Sequence, residues 1–128
     1  MISATNVAIT GLKADETRLA VSANNIANQD STKSNVNGKI VNKVAPPQQV
    51  DQITLSDGAV RALTRDVNPP TVTVPDNNPQ GSGTTQAPNV NQEQEAVNIE
   101  QAAAAFKANL AVIKAQNKTQ QSLLNIKT

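Results

Sequence analysis

The side chains able to carry chemistry in this 128-residue chain are few, and their spacing argues against a catalytic site. There is no histidine and no cysteine. A histidine-assisted serine or cysteine nucleophile is therefore impossible. A disulfide framework and a thiolate metal centre are excluded as well. A metal would have to be held by carboxylates alone, and the ten acidic residues are scattered. Glu93-x-Glu95 is one candidate pair, but residues two apart on a helix do not face each other. It reads as a solvated helix start, not as a ligand or acid/base pair. Gly81-x-Gly83 lacks both the following helix and the partner lysine of a phosphate-binding loop. Asn117-Lys118-Thr119 fits a glycosylation sequon, a pattern common by chance and placed here within a helical stretch. An enzyme would need a pocket with convergent polar groups, which the sequence does not suggest. No catalytic residue, cofactor site or metal site is assigned.

Composition narrows the function classes further. Ile, Leu, Val and Phe number 29 in all, and Phe106 is the one aromatic residue. That content lies close to the range where disorder is the default reading. Asn and Gln number 28, and Ala 18. Ordering a chain costs about 1.5 kcal/mol per residue, while burying a large aliphatic side chain returns about 1.5–3 kcal/mol. A compact monomer is marginal on these terms, and burial against partners is the simplest remedy. The net charge is +1 with no strongly polarised region. A nucleic-acid surface needs clustered Lys and Arg or an aromatic stacking platform, and neither is present. No apolar run approaches a membrane span. The N-terminus lacks the basic and apolar regions of a cleavable secretory signal, so export is expected to use another route.

The elements fall into three parts because all seven prolines lie between Pro46 and Pro88. The expected fold is mainly α. Residues 1–33 form one helix and 88–128 a second, the two belonging to one discontinuous, coiled-coil-like domain. Residues 34–87 form an extended or small β-hairpin insertion between them. In the first helix Ile2, Ile9 and Ala23 share one heptad position, and Leu12, Leu19 and Ile26 another; Glu16 interrupts the first row. Gly11 is either a tolerated glycine, at a cost of about 1 kcal/mol, or a point where a neighbouring helix comes close. Asn, Asp and Ser near Asn28 to Ser31 compete for backbone hydrogen bonds and should fray the helix there. In the second helix Asn89 or Asn91 can cap the start. Glu93, Glu95 and Glu100 precede Lys107, Lys114, Lys118 and Lys127, matching the helix macrodipole. Ala96, Ala103, Leu110, Asn117 and Leu124 form one row, and Ile99, Phe106 and Ile113 the other, ending at Gln120. Asn117 either sets register or is a polar residue near the wet end of an ordinary amphipathic helix. From Asn91 to Thr128 the helix would extend about 55 Å. Between the helices, Lys39–Val44, Val50–Leu55, Ala59–Leu63 and Thr71–Val74 read as short strands, with Asp57-Gly58 as a hairpin turn. Residues 81–85 read as a flexible linker.

These ends carry a resemblance. Gly11-Leu12, Arg18-Leu19 and Ala23-Asn24-Asn25-Ile26-Ala27-Asn28, followed by Ser31-Thr32, resemble the N-terminal signature of bacterial flagellar rod and hook proteins. Asn98-Ile99-Glu100, Phe106-Lys107-Ala108-Asn109 and Leu123-Leu124-Asn125-Ile126-Lys127 resemble that family's C-terminal helix. Together they cover both ends of the chain. The short length and the Pro69-Pro70 to Pro79 stretch look most like a proximal rod subunit. The middle departs from the family in its Gln and Asn content and in lacking the common tyrosines.

The resemblance implies a structural subunit of the flagellar basal-body rod, polymerising helically into a periplasmic drive shaft that transmits torque. It implies export through the flagellar type III apparatus without a cleaved signal. Implied partners are copies of the chain itself, other rod proteins, and basal-body ring or export-gate proteins, with no nucleic acid and no membrane insertion. Paired terminal helices would bring Ile9, Leu12, Leu19 and Ile26 against Ile99, Phe106, Leu110 and Ile113, with Leu124 further along the same surface. The middle segment would reach laterally to neighbours. The alternative is a soluble coiled-coil adaptor or export chaperone.

Overall fold

The computed structural model describes residues 3–31, 35–36, 39–40, 46–75 and 84–126. Helix α1 spans Ala4–Asn28 and helix α2 spans Gln92–Ile126. Between them lie strands β1 (Asn35–Val36), β2 (Lys39–Ile40), β3 (Gln48–Thr54), β4 (Val60–Asp66), β5 (Thr71–Pro75) and β6 (Thr84–Pro88). The strands pair in chain order into three antiparallel hairpins, β1–β2, β3–β4 and β5–β6. The expected class, two long helices flanking a small β insertion, is the observed one.

Each helix begins where a polar side chain can accept an orphan backbone N–H. Ser3 Oγ accepts from Thr5 N, and Asn91 Oδ1 accepts from Gln94 N at 2.9 Å. Of the two caps expected for α2, Asn91 is the one used. Helix α1 stops at Asn28, inside the stretch expected to fray. There Asn24 and Asn28 turn their amides onto the carbonyls of Ala20 and Asn24, four residues back. Side-chain bonds of this kind compete with the helical ladder.

The β3–β4 hairpin turns at Ser56-Asp57-Gly58, where Gly58 takes φ +83. That left-handed conformation favours glycine, as the Asp57-Gly58 signal implies. Three strand expectations hold with shifted ends: β3, β4 and β5 each include the residues expected of them apart from Leu55 and Ala59, which sit in the turn. Of Lys39–Val44, only Lys39 and Ile40 are described; the rest of that segment, Ile2, residues 81–83 and Lys127 lie outside the described residues. One expectation fails. Thr84 and Thr85 belong to strand β6, not to a linker, and Thr84–Pro88 pairs residue for residue with Thr71–Pro75. Thr84 and Thr85 stand opposite Pro75 and Val74, and the Gln86 side chain bonds Thr71 and Thr73 across the pair. The second helix correspondingly starts at Gln92, after that strand and not at residue 88.

Hydrogen bonds join the two helices at points that run in opposite directions along the chain. Asn25 meets Glu95, Arg18 meets Gln101, and Asp15 meets Asn109. The pair is therefore antiparallel, and Ala4 comes level with about residue 116. At 1.5 Å per residue the 35-residue α2 is about 52 Å long and the 25-residue α1 about 37 Å. The excess length is an overhang, and every residue from Asn117 to Ile126 is exposed. The β3–β4 hairpin lies along α1. Val60 N donates to Thr10 Oγ1 at 3.0 Å, Gln52 reaches Asp15, and the turn glycine sits against Val7.

The core is made of small residues. Ala8, Ala14, Ala87 and Ala102 are buried, as are Pro47 and Pro88, and no large side chain is fully buried among the described residues. The chain exposes 9172 Å², whereas a compact monomer of its mass would expose about 6,500 Å². Ala102, at 0% exposure, is fully buried in the seam of the helix pair. Ala102→Leu is expected to force the helices apart at a cost of about 1–3 kcal/mol, read as a lower thermal midpoint of the helical circular dichroism signal.

Candidate functional site

The surface where the two helices meet is the site with the most specific chemistry. On α1 the buried residues are Ala8, Gly11, Ala14, Asp15, Ser22 and Asn25. Ala8, Asp15 and Ser22 are seven apart, and so are Gly11, Arg18 and Asn25. On α2 the buried residues are Glu95 and Ala102, and Asn109 continues their row. The seam is thus built from Ala, Gly, Ser and polar groups.

Asn25 is its centre. Its Nδ2 donates to Gln48 O at 2.6 Å and to Glu95 Oε1 at 2.7 Å, and its Oδ1 accepts from Gln48 N at 3.0 Å. The amide thereby pairs with the first residue of β3 in both directions, as a neighbouring strand would, while holding a carboxylate of α2. Glu95 takes a second donor, Asn98 Nδ2, at 3.2 Å. The Glu93-x-Glu95 segment was expected to be solvated; Glu95 is instead buried, because the amides of Asn25 and Asn98 replace its water.

A second polar node lies about three turns away. Asp15, 2% exposed, accepts from Asn109 Nδ2 at 3.0 Å and from Gln52 Nε2 at 3.3 Å. Gly11 makes room for it. A Cβ at Gly11 would stand 2.6 Å from Asn109 Nδ2. Of the two readings of Gly11, close approach is the one realised. Arg18 Nη2 donates to Gln101 Oε1 between the nodes. Among the described residues the one ion pair is Arg65 with Asp51, out on the hairpin. The buried carboxylates are therefore satisfied by amides, not by cations, and a buried charge is tolerated only when so hydrogen-bonded. No three His, Cys, Asp or Glu among the described residues cluster closely enough to hold a metal ion.

The apolar rows read from the sequence lie beside this seam, one residue further along each helix. Ile9, Leu12, Leu19 and Ile26 follow Ala8, Gly11, Arg18 and Asn25. Leu110 follows Asn109, and Ala96 and Ala103 follow Glu95 and Ala102. A step of one residue turns about 100° around a helix. In an antiparallel pair the two helices turn opposite ways when viewed from one end. Both displaced rows therefore emerge on the same side of the pair. The hairpin occupies the other side, against Val7 and Thr10. Consistent with an uncovered surface, Leu12, Leu19, Ile26, Ile99, Phe106 and Ile113 are half-buried, and Ile9, Leu110 and Leu124 are exposed at 40%, 36% and 68%. The rows form one open apolar face, instead of two stripes closed on each other.

The motif Ala23-Asn24-Asn25-Ile26-Ala27-Asn28 divides accordingly. Asn25 is buried in the seam and Ile26 half-buried, while Ala23, Asn24, Ala27 and Asn28 are exposed. Glu95, Asn109, Gln48 and Gln52 are site residues that sequence reasoning missed. Their signal was positional: Glu95, Ala102 and Asn109 recur at seven-residue intervals next to the apolar row.

Residues 6–33 match the family model of the flagella basal body rod protein, a segment that takes in α1 beyond its first two residues. No curated protein matches the chain. No helix among the described residues is long and apolar enough to cross a membrane.

Asn25→Asp keeps the shape but turns two donors into acceptors facing Gln48 O and Glu95. It is expected to destabilise the helix pair by about 2–3 kcal/mol, measured from the denaturant midpoint, while Asn24→Asp on the exposed side costs much less. Gly11→Ala is expected to cost about 1–3 kcal/mol by driving Asn109 off Asp15.

Proposed function

We propose that this chain, whose N-terminal helix is that of the flagellar basal-body rod family, is a structural subunit that polymerises helically into the rod and transmits motor torque across the periplasm. The family is one of structural basal-body components. The finer reading is carried by a single observation: the open apolar face of the helix pair. Ile9, Leu12, Leu19 and Ile26 from α1, with Ile99, Phe106, Leu110 and Ile113 from α2, are large apolar side chains that remain partly in water. At roughly 25 cal/mol per Å² of apolar surface, covering such a face is the main gain left to the chain. Neighbouring copies packed against it cover it, and in a helical assembly many helices then lie side by side. Parallel helices packed in this way give a stiff shaft.

The fold also suits delivery. No large side chain is fully buried among the described residues, so the lone chain opens at low cost and can thread an export channel. Its stability then comes from assembly, by mass action with its neighbours. The partners on this reading are further copies, other rod proteins, and ring or export-gate components of the basal body. A proximal position fits the small insertion, whose β3–β4 hairpin touches the subunit's own α1 at Thr10, Asp15 and Val7.

Deleting the gene tests the reading directly: cells are expected to lack flagella and swimming, and normal filaments would refute it. Leu110→Asp or Phe106→Asp places a charge on the open face. Either is expected to abolish rod assembly, scored by electron microscopy of basal bodies, while leaving the helicity of the isolated chain unchanged.

A further inference from the structure

The β3–β4 hairpin leaves an unfinished strand edge beside the seam. Leu55 N donates to Ala59 O and Val67 N to Pro47 O, so it is the odd-numbered residues of β3 that exchange hydrogen bonds with β4. Backbone groups alternate sides along an antiparallel strand. Gln48, Val50 and Gln52 therefore turn their N–H and C=O away from β4. Gln48 is already served there, because the Asn25 amide donates to its O and accepts from its N. Asn25 stands where a third strand would begin. At Val50, two residues on, no such partner exists among the described residues.

A cavity of about 320 Å³ opens at that edge, walled by α1, β3 and the first turns of α2. Val50 lines it with Arg18, Ser22, Gln94 and Glu95. Ser22 is 3% exposed, and its hydroxyl has no hydrogen-bond partner among the described residues. No fully buried side-chain polar atom is left unpaired among those residues, so this hydroxyl keeps contact with the cavity it lines. Glu95 holds two amide donors, whereas a carboxylate has room for about four. The cavity thus offers an open backbone pair and two side chains with spare hydrogen-bonding capacity. The other edge of the hairpin is unlike it. Beside β4, Thr10 accepts from Val60 N, and both Thr10 and Thr17 donate to helix carbonyls.

We propose that this cavity takes an extended segment of another protein, which adds to β3 as an antiparallel strand. One residue of the segment exchanges both hydrogen bonds with Val50, continuing the pairing that Asn25 begins. Gln52, on the same face of the strand as Val50, reaches Asp15 of α1, so that face turns toward the helices. The inserted residue shares it and sends its side chain toward Ser22 and Glu95. Arg18 opposes a cation there, and Glu95 opposes an anion. The chemistry selects a short neutral hydrogen-bonding side chain: Ser, Thr or Asn. The occupant is not a second copy, since every described strand of this chain is already paired within its own hairpin. The site is separate from the open apolar face and does not depend on polymerisation.

Phage-displayed random heptapeptides are selected on the immobilised full-length chain, and an enriched peptide is synthesised with a fluorophore. Enriched peptides are expected to carry Ser, Thr or Asn at a fixed position, and fluorescence polarisation reads their affinity. Val50→Pro removes the edge N–H and spares the β4 ladder; it should weaken binding roughly tenfold. Ser22→Ala should weaken it roughly threefold. Thr64→Pro, the same change on the outer edge of β4, should leave it unchanged. Should Val50→Pro not fold, amide hydrogen exchange in the native chain decides: the peptide should slow exchange at Val50 and not at Ala62. A selection that enriches no peptide overturns the proposal and leaves the cavity to water. So does a peptide that binds Val50→Pro as tightly as the native chain, or that leaves exchange at Val50 unchanged. Either result leaves the polymerising reading standing.

Discussion

The arrangement depends on one constraint, that two buried carboxylates must each be fully hydrogen-bonded by neutral amides. Glu95 needs Asn25 and Asn98, and Asp15 needs Asn109 and Gln52. These groups come from α1, α2 and β3, so satisfying them fixes the relative position of all three. A slide of α2 by one residue would take Asn25 from Glu95 and Asn109 from Asp15 at once, and a buried polar group short of a partner costs more than a satisfied one contributes. The seam therefore sets the register of the helix pair sharply. It supplies little stability in return, because its apolar members are alanines. Asn25 serves this constraint at both levels, closing the helix pair and pinning the first residue of the hairpin, and Asp15 joins α2 and the hairpin in the same way.

Giving the seam to small and polar residues has a geometric consequence. Each helix has one stripe of large apolar side chains, and a helix can put only one direction toward its partner. Once Ala8, Asp15 and Ser22 face Glu95, Ala102 and Asn109, the stripes are turned about 100° aside. Antiparallel packing then brings them to the same side. A parallel pair with the same offset would have split them onto opposite sides, leaving two narrow strips in place of one broad face. The hairpin, resting on the opposite flank of α1 through Thr10 and Val7, leaves that face clear.

Much of this was legible in the sequence, and the failures have a common cause. The two helices, the start of α2 and the Asp57-Gly58 turn follow from local signals: Asn89 or Asn91 before an acidic first turn, polar residues from Asn28 onward competing with the ladder, a glycine at the turn. Periodicity read the apolar rows, Ile9 through Leu124, as packing surface. What periodicity could not say was which direction each stripe faces. Hydrophobic rows are assumed to mark the interior, and here the interior is marked by Gly11, Ala102 and the amides. Glu95 was misjudged for the same reason, since a glutamate in a first turn is ordinarily solvated and only the tertiary placement of Asn25 makes it otherwise. Strand β6 was missed because Thr84 and Thr85 follow Gly81 and Gly83, and the pairing that orders them is with Thr71–Pro75 and not with adjacent residues.

A polar seam and an uncovered apolar face answer the same physical demand from opposite sides. A chain that buried Leu19, Phe106 and Ile113 against one another would gain a stable monomer and lose the open face on which the proposed association rests. A chain with an apolar seam as well as an apolar face would have no means of choosing between them, and its helices could pair in several registers or with the wrong neighbour. Confining hydrogen-bond specificity to the intramolecular contact separates the two roles. Amides and carboxylates fix which parts of one chain meet, because their partners are discrete. Aliphatic surface, which is nondirectional, is left to drive association once that shape exists. Shape comes first, and the open face it creates is what another copy can cover.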